Sequence, residues 1–257
     1  MHILLVNDDG INARGIRALC EACVERGHKV SVCAPDTERS ASSHRISLAD
    51  PIYVREADFG LPNVRAWSIS GTPADCVRLG LYELVDSGVD AVISGINNGH
   101  NAGMAVHYSG TIAAAREGAL NHIPSVASSI AYKGPDSMLA YLARLTVASA
   151  EAYVKTDVPP HTILSINAPA REPEDVLPPV AAPLSTAGYR DRYVRRESPR
   201  AGTYFWLASG ADAEPSPENT DVAFLRNGHI TYTFIGNPCG NITPDLVAQF
   251  SNLKANE

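Results

Sequence analysis

No run of apolar residues in this 257-residue sequence approaches the roughly 18 that a membrane-spanning helix needs. The opening stretch, MHILLVNDDG, carries no basic segment, no long apolar core and no small-residue cleavage site. The expectation is therefore a cytoplasmic protein without a secretion signal. Positive charge is also scarce: 21 Lys and Arg stand against 28 Asp and Glu, a net charge of -7. That balance argues against the broad basic face required by a nucleic-acid polymer. A small phosphate ester stays open, because a bound cation reverses the local field. The five cysteines are odd in number and sit in apolar, periodic stretches, so they read as reduced thiols and not as a disulfide framework. Cys20 and Cys23 have CxxC spacing, but within a helical pattern and with no second Cys or His pair, which favours a packing role over zinc or redox chemistry. There is no GxSxG elbow, HExxH or Walker sequence, and NDDG stands where a dinucleotide-binding enzyme needs GxGxxG. Internal repeats and low-complexity tracts are missing too.

Over the first 170 residues, short apolar runs alternate with segments of helical period, the pattern of a mainly parallel sheet covered by helices on both faces. Strands are expected at Ile3–Val6, Lys29–Ala34, Asp90–Ser94, Ser125–Ile130 and Thr162–Asn167, with extended stretches near Pro51–Arg55 and Val64–Ile69. The stripe Ile16, Leu19, Cys20, Cys23 and Val24, closed by Gly27, predicts a helix. Thr72-Pro73-Ala74-Asp75 reads as an N-cap, a proline at the first helical position and an acid three residues on. That helix buries Val77, Leu81, Leu84 and Val85 and stops by Gly88. Two more helices are expected, from Ser109-Gly110-Thr111 through Leu120 and from about Asp136 to Val154. Gly95-Ile96-Asn97-Asn98-Gly99 reads as a loop. Beyond residue 170 the character shifts to hairpin-like pieces, Tyr204–Ala208 and His229–Phe234, and a terminal helix near Pro244–Leu253. The chain thus reads as one domain: an α/β core over 1–170 and a β-rich extension over 171–257 suited to subunit contacts.

Ligands of open parallel sheets sit beyond the carboxyl ends of the strands, which is where Asp8 and Asp9 fall. Neighbouring carboxylates after a buried strand repel each other unless a cation or several donors compensate, and a hard divalent ion prefers such oxygens. The same Asp-Gly pair also suits a plain turn, with Asp8 capping and Asp9 solvated. Ser40, in the long polar loop Asp36–Ser47, and Asn97, just past Asp90–Ser94, add neutral oxygens that can converge on the same rim. Ser109-Gly110-Thr111 opens a helix, where free N–H groups and the dipole suit a phosphate; ordinary N-capping explains the same residues. Gly71-Thr72 permits both readings as well. His44 and His107 lie near these loops and receive no catalytic role.

The blocks VNDDGI, APDTERSASSH, SGTPADCV, SGINNG and YSGTIAAAREGAL, in this order, resemble the SurE survival-protein family of 5'/3'-nucleotidases, and TDVAFLRNGHITYTFI resembles its C-terminal strand region. The resemblance implies a Rossmann-like three-layer core and a homodimer or homotetramer with exchanged C-terminal elements. It also implies one divalent cation per subunit, Mg²⁺ or Mn²⁺, held by Asp8, Asp9, Ser40 and Asn97. It implies hydrolysis of nucleoside 5'- and 3'-monophosphates and, in some members, of short polyphosphate. Two positions depart from the family pattern: Ala41, where many members have glycine, and Phe234–Pro238. The expected chemistry is attack of a metal-activated water on phosphorus, with Asp8, Asp9 and Asn97 at the catalytic centre and Ser40, Ser109, Gly110 and Thr111 on the substrate. The rivals are an aspartyl-phosphate enzyme, which usually spaces its acids as DxD, and a phosphoacceptor signalling module, which is roughly half as long and needs a further acceptor Asp and a Lys at later strand ends.

Overall fold

A computed structural model describes residues 1–86, 88–187, 191–208 and 215–236. Its first strand, β1 (His2–Val6), is buried along its whole length. Alternation along β1 divides the core, because successive side chains point to opposite faces of a strand. Ile3 and Leu5 pack with Ile16, Leu19 and Cys20 of α1 (Arg14–Glu25) and with Leu142 and Val147 of α4 (Asp136–Tyr153). Leu4 and Val6 pack on the other side with Val77 of α2 (Pro73–Leu79) and Ala114 of α3 (Gly110–Leu120). Each of these four β1 side chains is fully buried and contributes about 1.5–3 kcal/mol.

The strands β2 (Lys29–Pro35), β4 (Val64–Ile69), β5 (Ala91–Asn98), β6 (Ser125–Ile130) and β7 (Ile163–Ala168) lie parallel to β1 in the order β4-β2-β1-β5-β6-β7. Numbered among themselves, these six strands run 3-2-1-4-5-6, the doubly wound order with its switch point between β1 and β5. Edge strand β3 (Val54–Ala57) joins β4 antiparallel. The sheet does not stop at residue 170: β11 (His229–Ile235) pairs antiparallel with β7, and β8 (Leu177–Ala181) pairs with β11. Among the described strands, β9 (Arg192–Ser198) and β10 (Gly202–Ala208) alone stand apart, as a two-stranded antiparallel hairpin. Among the described residues no helix is long and apolar enough to cross a membrane.

Three expectations require correction. Gly95 to Asn98 is not a loop: β5 runs on through it beside β6, with a register shift between Ser94 and Asn97 and a cis Gly95–Ile96 peptide. The glycine and paired asparagines, read as turn formers, instead mark an irregular strand end whose polar groups are held by neighbours. Within the block read as a strand region, Asp221–Asn227 forms a short helix, α5, stopped by Gly228 in the left-handed conformation, with the strand beginning only at His229. The expected helix at Pro244–Leu253 lies outside the described residues, as does part of Phe234–Pro238. The helix expected to run to Gly88 ends as α2 at Leu79 and continues as a wider turn, Gly80–Leu84.

Cys20 and Cys23 lie on the buried face of α1 and carry no disulfide, and burial raises both thiols well above their ordinary range. Helix α1 approaches the end of β5 so closely that a Cβ on Gly15 would stand 1.9 Å from the Ile96 carbonyl oxygen. Glycine is required there by contact with rigid backbone. Gly15→Ala is expected to cost about 3 kcal/mol or more of stability, since neither backbone can yield cheaply. Thermal melting checks this; an unchanged midpoint would mean that α1 and β5 are not so tightly apposed.

Candidate active site at the switch point

The turn after β1 is built by Asn7, whose buried side chain donates to Gly10 O at 2.8 Å and accepts from Gly10 N at 3.2 Å. This clamp presents Asp8 and Asp9 at the sheet's carboxyl edge. Three neighbouring segments then tie down the pair. From the loop after β2, Arg39 N donates to the Asp8 carbonyl at 2.7 Å. From α3, Thr111 Oγ1 donates to Asp8 Oδ1 at 2.6 Å. From the end of β5, Asn98 N donates to Asp9 Oδ2 at 3.1 Å. Helix α3 comes so near that a Cβ on Gly110 would fall 2.9 Å from Asp8 Cβ and 2.8 Å from Ser42 Oγ. Only a glycine at that first helical position lets the helix N-terminus abut the carboxylate.

Asp8, Asp9, Ser40, Asn97 and Ser109 line one cleft of about 890 Å³. Ser40 is exposed and donates to Glu38 Oε1, a carboxylate that the sequence reading passed over. Asn97 donates through Nδ2 to Gly99 O at 2.7 Å, which leaves its oxygen uncommitted among the described residues. Ser109 caps α3 by accepting from Ile112 N at 3.1 Å. Thr111 is fully buried, with its hydroxyl spent on Asp8, so it orients a carboxylate where a direct phosphate contact was expected. Thr72 closes a capping box with Asp75, which accounts for Gly71-Thr72. His44 bonds Glu117 Oε2 at 2.8 Å beside Arg78, and His107 is exposed. Ala41 keeps a left-handed backbone, φ 53°, the conformation that glycine adopts freely and that costs an alanine about 1–2 kcal/mol.

Both acids are held above the usual carboxylate range. Burial is the main cause at Asp8, opposed by the Thr111 hydroxyl. Burial also leads at Asp9, followed by the charge of Asp8 and, after the opposing Asn98 N–H, that of Glu38; its carboxyl is pushed up to about 6. The carboxylate, hydroxyl and amide oxygens around this uncompensated charge are the donors a hard divalent cation prefers. Among the described residues there is no metal-holding group of three or more His, Cys, Asp or Glu, so any such ion depends on the neutral oxygens as well.

With this geometry in place, comparison with known proteins gives a consistent result. Residues 3–191 match the family model described as "Survival protein SurE". The chain is 43% identical over 216 residues to the 5'-nucleotidase SurE of Prochlorococcus marinus (strain NATL2A), covering 82% of this chain and 80% of that protein. It is 43% identical over 237 residues to the 5'-nucleotidase SurE of Solidesulfovibrio magneticus, covering 91% and 90%. The crystal structure of the SurE protein from Aquifex aeolicus superposes with a TM-score of 0.81 at 29% identity, over 98% of this chain and 100% of that one.

A raised carboxyl in the native state sets a direction for stability. Between the unfolded value of 3.8 and the folded value of about 6, the native protein holds a proton on Asp9 that the unfolded chain has released. Stability of the metal-free protein therefore falls as pH rises through that window. Asp9→Asn, which keeps an oxygen for Asn98 N, is expected to flatten that decline and gain on the order of 1–2 kcal/mol at neutral pH without metal. Urea denaturation in EDTA across pH 4–7 checks this, and identical slopes in both proteins would contradict it.

Proposed function

Since the chain belongs to the Survival protein SurE family, we propose that it is a divalent-metal-dependent phosphatase hydrolysing nucleoside 5'- and 3'-monophosphates to nucleoside and phosphate. One observation supports this reading above the others: two adjacent acids, one hydroxyl and one amide, from three different strand ends, line a single cleft against the N-terminus of α3. The donor set fits one Mg²⁺ or Mn²⁺, with Asp8, Asp9, Ser40 and Asn97 as the ligands. When bound, such an ion supplies charge neutralisation at the phosphate oxygens and makes water a better nucleophile.

The chain's own residues then have distinct tasks. Thr111 holds Asp8 in one orientation through its hydroxyl, and Asn98 N does the same for Asp9. Proton removal from the attacking water falls to Asp9, the less buried acid, with only Oδ2 committed to a protein donor. Ser109 and the Gly110 N–H at the start of α3 stabilise charge on the phosphoryl oxygens, helped by the helix dipole. Short polyphosphate is the alternative substrate. It is favoured by two side cavities that flank Asp9 and Ser40 and carry cations, one with Arg14 and Lys133, the other with Arg39 and Arg45.

A cytoplasmic site of action accords with four buried, unpaired cysteines among the described residues. A homodimer or homotetramer accords with the exposed Phe205 and Trp206 of the β9–β10 hairpin.

The deciding assay is phosphate release from nucleoside 5'- and 3'-monophosphates and from tripolyphosphate, with EDTA and with Mg²⁺ or Mn²⁺ restored. Nucleotide turnover that EDTA abolishes and either ion returns is expected, with Asp9→Asn at least ~100-fold slower. Turnover that persists undiminished in EDTA would refute the proposal.

A further inference from the structure

Three cavities meet at Glu38, and they differ in what lines them. The two side cavities contain cations and no aromatic ring. The main cleft contains three tyrosines from three separate parts of the chain: Tyr108 just before α3, Tyr132 just after β6, and Tyr193 on β9. Their exposures are 61%, 67% and 63%, so none is a core residue. No hydrogen bond among the described residues engages any of the three hydroxyls. A single exposed tyrosine is unremarkable, but three converging on an acid-lined cleft form a directed surface.

The placements are fixed by backbone. Ser43 N donates to Tyr108 O at 3.0 Å, tying that tyrosine to the loop that carries Ser40. Lys133 N donates to Asn98 Oδ1 at 3.1 Å, which anchors the Tyr132 segment beside Asp9. Tyr193 is paired across the hairpin with Leu207, which lines the same cleft. The Lys133 ammonium lies 5.3 Å from the centroid of the Tyr132 ring, a cation–π contact.

We propose that Tyr108, Tyr132 and Tyr193 form the stacking wall that takes the nucleobase of the substrate, so that the base extends along the aromatic cleft and not into either cationic side cavity. The inference rests on the nucleotidase reading above and adds the direction and residues of base recognition. A nucleoside monophosphate joins a dianion to a flat aromatic ring, and this cleft offers carboxylate, hydroxyl and amide oxygens together with exposed tyrosine rings. At about 890 Å³ it lies within the range of small-molecule sites. Stacking of bases on aromatic side chains tolerates any base, because every base has a π-face.

The test compares adenosine 5'-monophosphate with ribose 5-phosphate, which has the same ester without the base, by steady-state phosphate release from the full chain with Mn²⁺. The variants are Tyr108→Ala, Tyr132→Ala and Tyr193→Ala, each beside its Tyr→Phe counterpart. In the unaltered protein the KM for the nucleotide is expected to lie well below that for the sugar phosphate. Each alanine shrinks that KM ratio, about ten-fold at the strongest position, with kcat for the nucleotide held, while phenylalanine preserves the ratio. A KM ratio that all three alanine variants leave intact would overturn the inference while nucleotidase activity stands. So would alanine variants whose only change is in oligomeric mass, since the rings would then be covering a subunit contact. An unaltered protein that releases phosphate from neither ester removes the nucleotidase reading and this inference together.

Discussion

Two negative side chains held next to each other at the edge of a buried strand are the constraint from which the rest of the site follows. Asp8 and Asp9 each sit above the ordinary carboxylate range because burial disfavours their charge. The protein offsets part of that cost with the Thr111 hydroxyl and the Thr111 and Asp8 backbone N–H groups at Asp8, and with the Asn98 N–H at Asp9. Burial still outweighs these donors at both carboxylates, and Glu38 adds a third negative charge nearby, so the charge is undercompensated. The remaining oxygens of Ser40 and Asn97 lie on the same cleft. In this account the deficit is what recruits a hard cation, and the cation brings phosphate to the cleft.

The fold supplies this arrangement through its strand order. The chain reverses direction across the sheet between β1 and β5, which opens a crevice beyond their carboxyl ends and brings the β2 loop and the start of α3 to its rim. Close backbone approach then sets the spacing. Gly15 lets α1 press on Ile96, and Gly110 lets α3 press on Asp8. Gly15 touches no substrate in the proposed reaction and Gly110 meets it only through its backbone N–H, yet a methyl group at either would move an element that carries site residues.

Much of this was legible in the sequence, for identifiable reasons. The β1, β2, β6 and β7 strands are short runs of mainly apolar and small residues, α1 carries an amphipathic stripe, and α3 is marked by its start residues and alanine-rich run, so local pattern locates them. The capping box at Thr72 and Asp75 is a local device and was equally plain. The failures involve non-local partners. Gly95–Asn98 carries turn-forming residues, but β6 holds it as strand. The attachment of β8 and β11 to the core sheet depends on pairing with β7 across a long stretch of chain, which no window of sequence encodes. At the site, Asp8, Asp9, Ser40 and Asn97 were read from their positions at strand ends and from family resemblance, and the fold brings all four to one cleft. Helix-start chemistry points to an anion at Ser109-Gly110-Thr111 without revealing that the Thr111 hydroxyl meets Asp8. Glu38 was missed because an acid in a polar loop gives no local signal; its neighbour Ser40 was the only available pointer.

The central claim, that the cation balances the shared charge of Asp8 and Asp9, is tested most directly by calorimetric titration of Mn²⁺ into the full chain at pH 5.5 and pH 8, in buffers of differing ionisation enthalpy. The account predicts one ion per chain, with protons released on binding at pH 5.5, where Asp9 is largely protonated, and almost none at pH 8. Saturating Mn²⁺ with no heat of binding, or binding that releases no more protons at pH 5.5 than at pH 8, would contradict it.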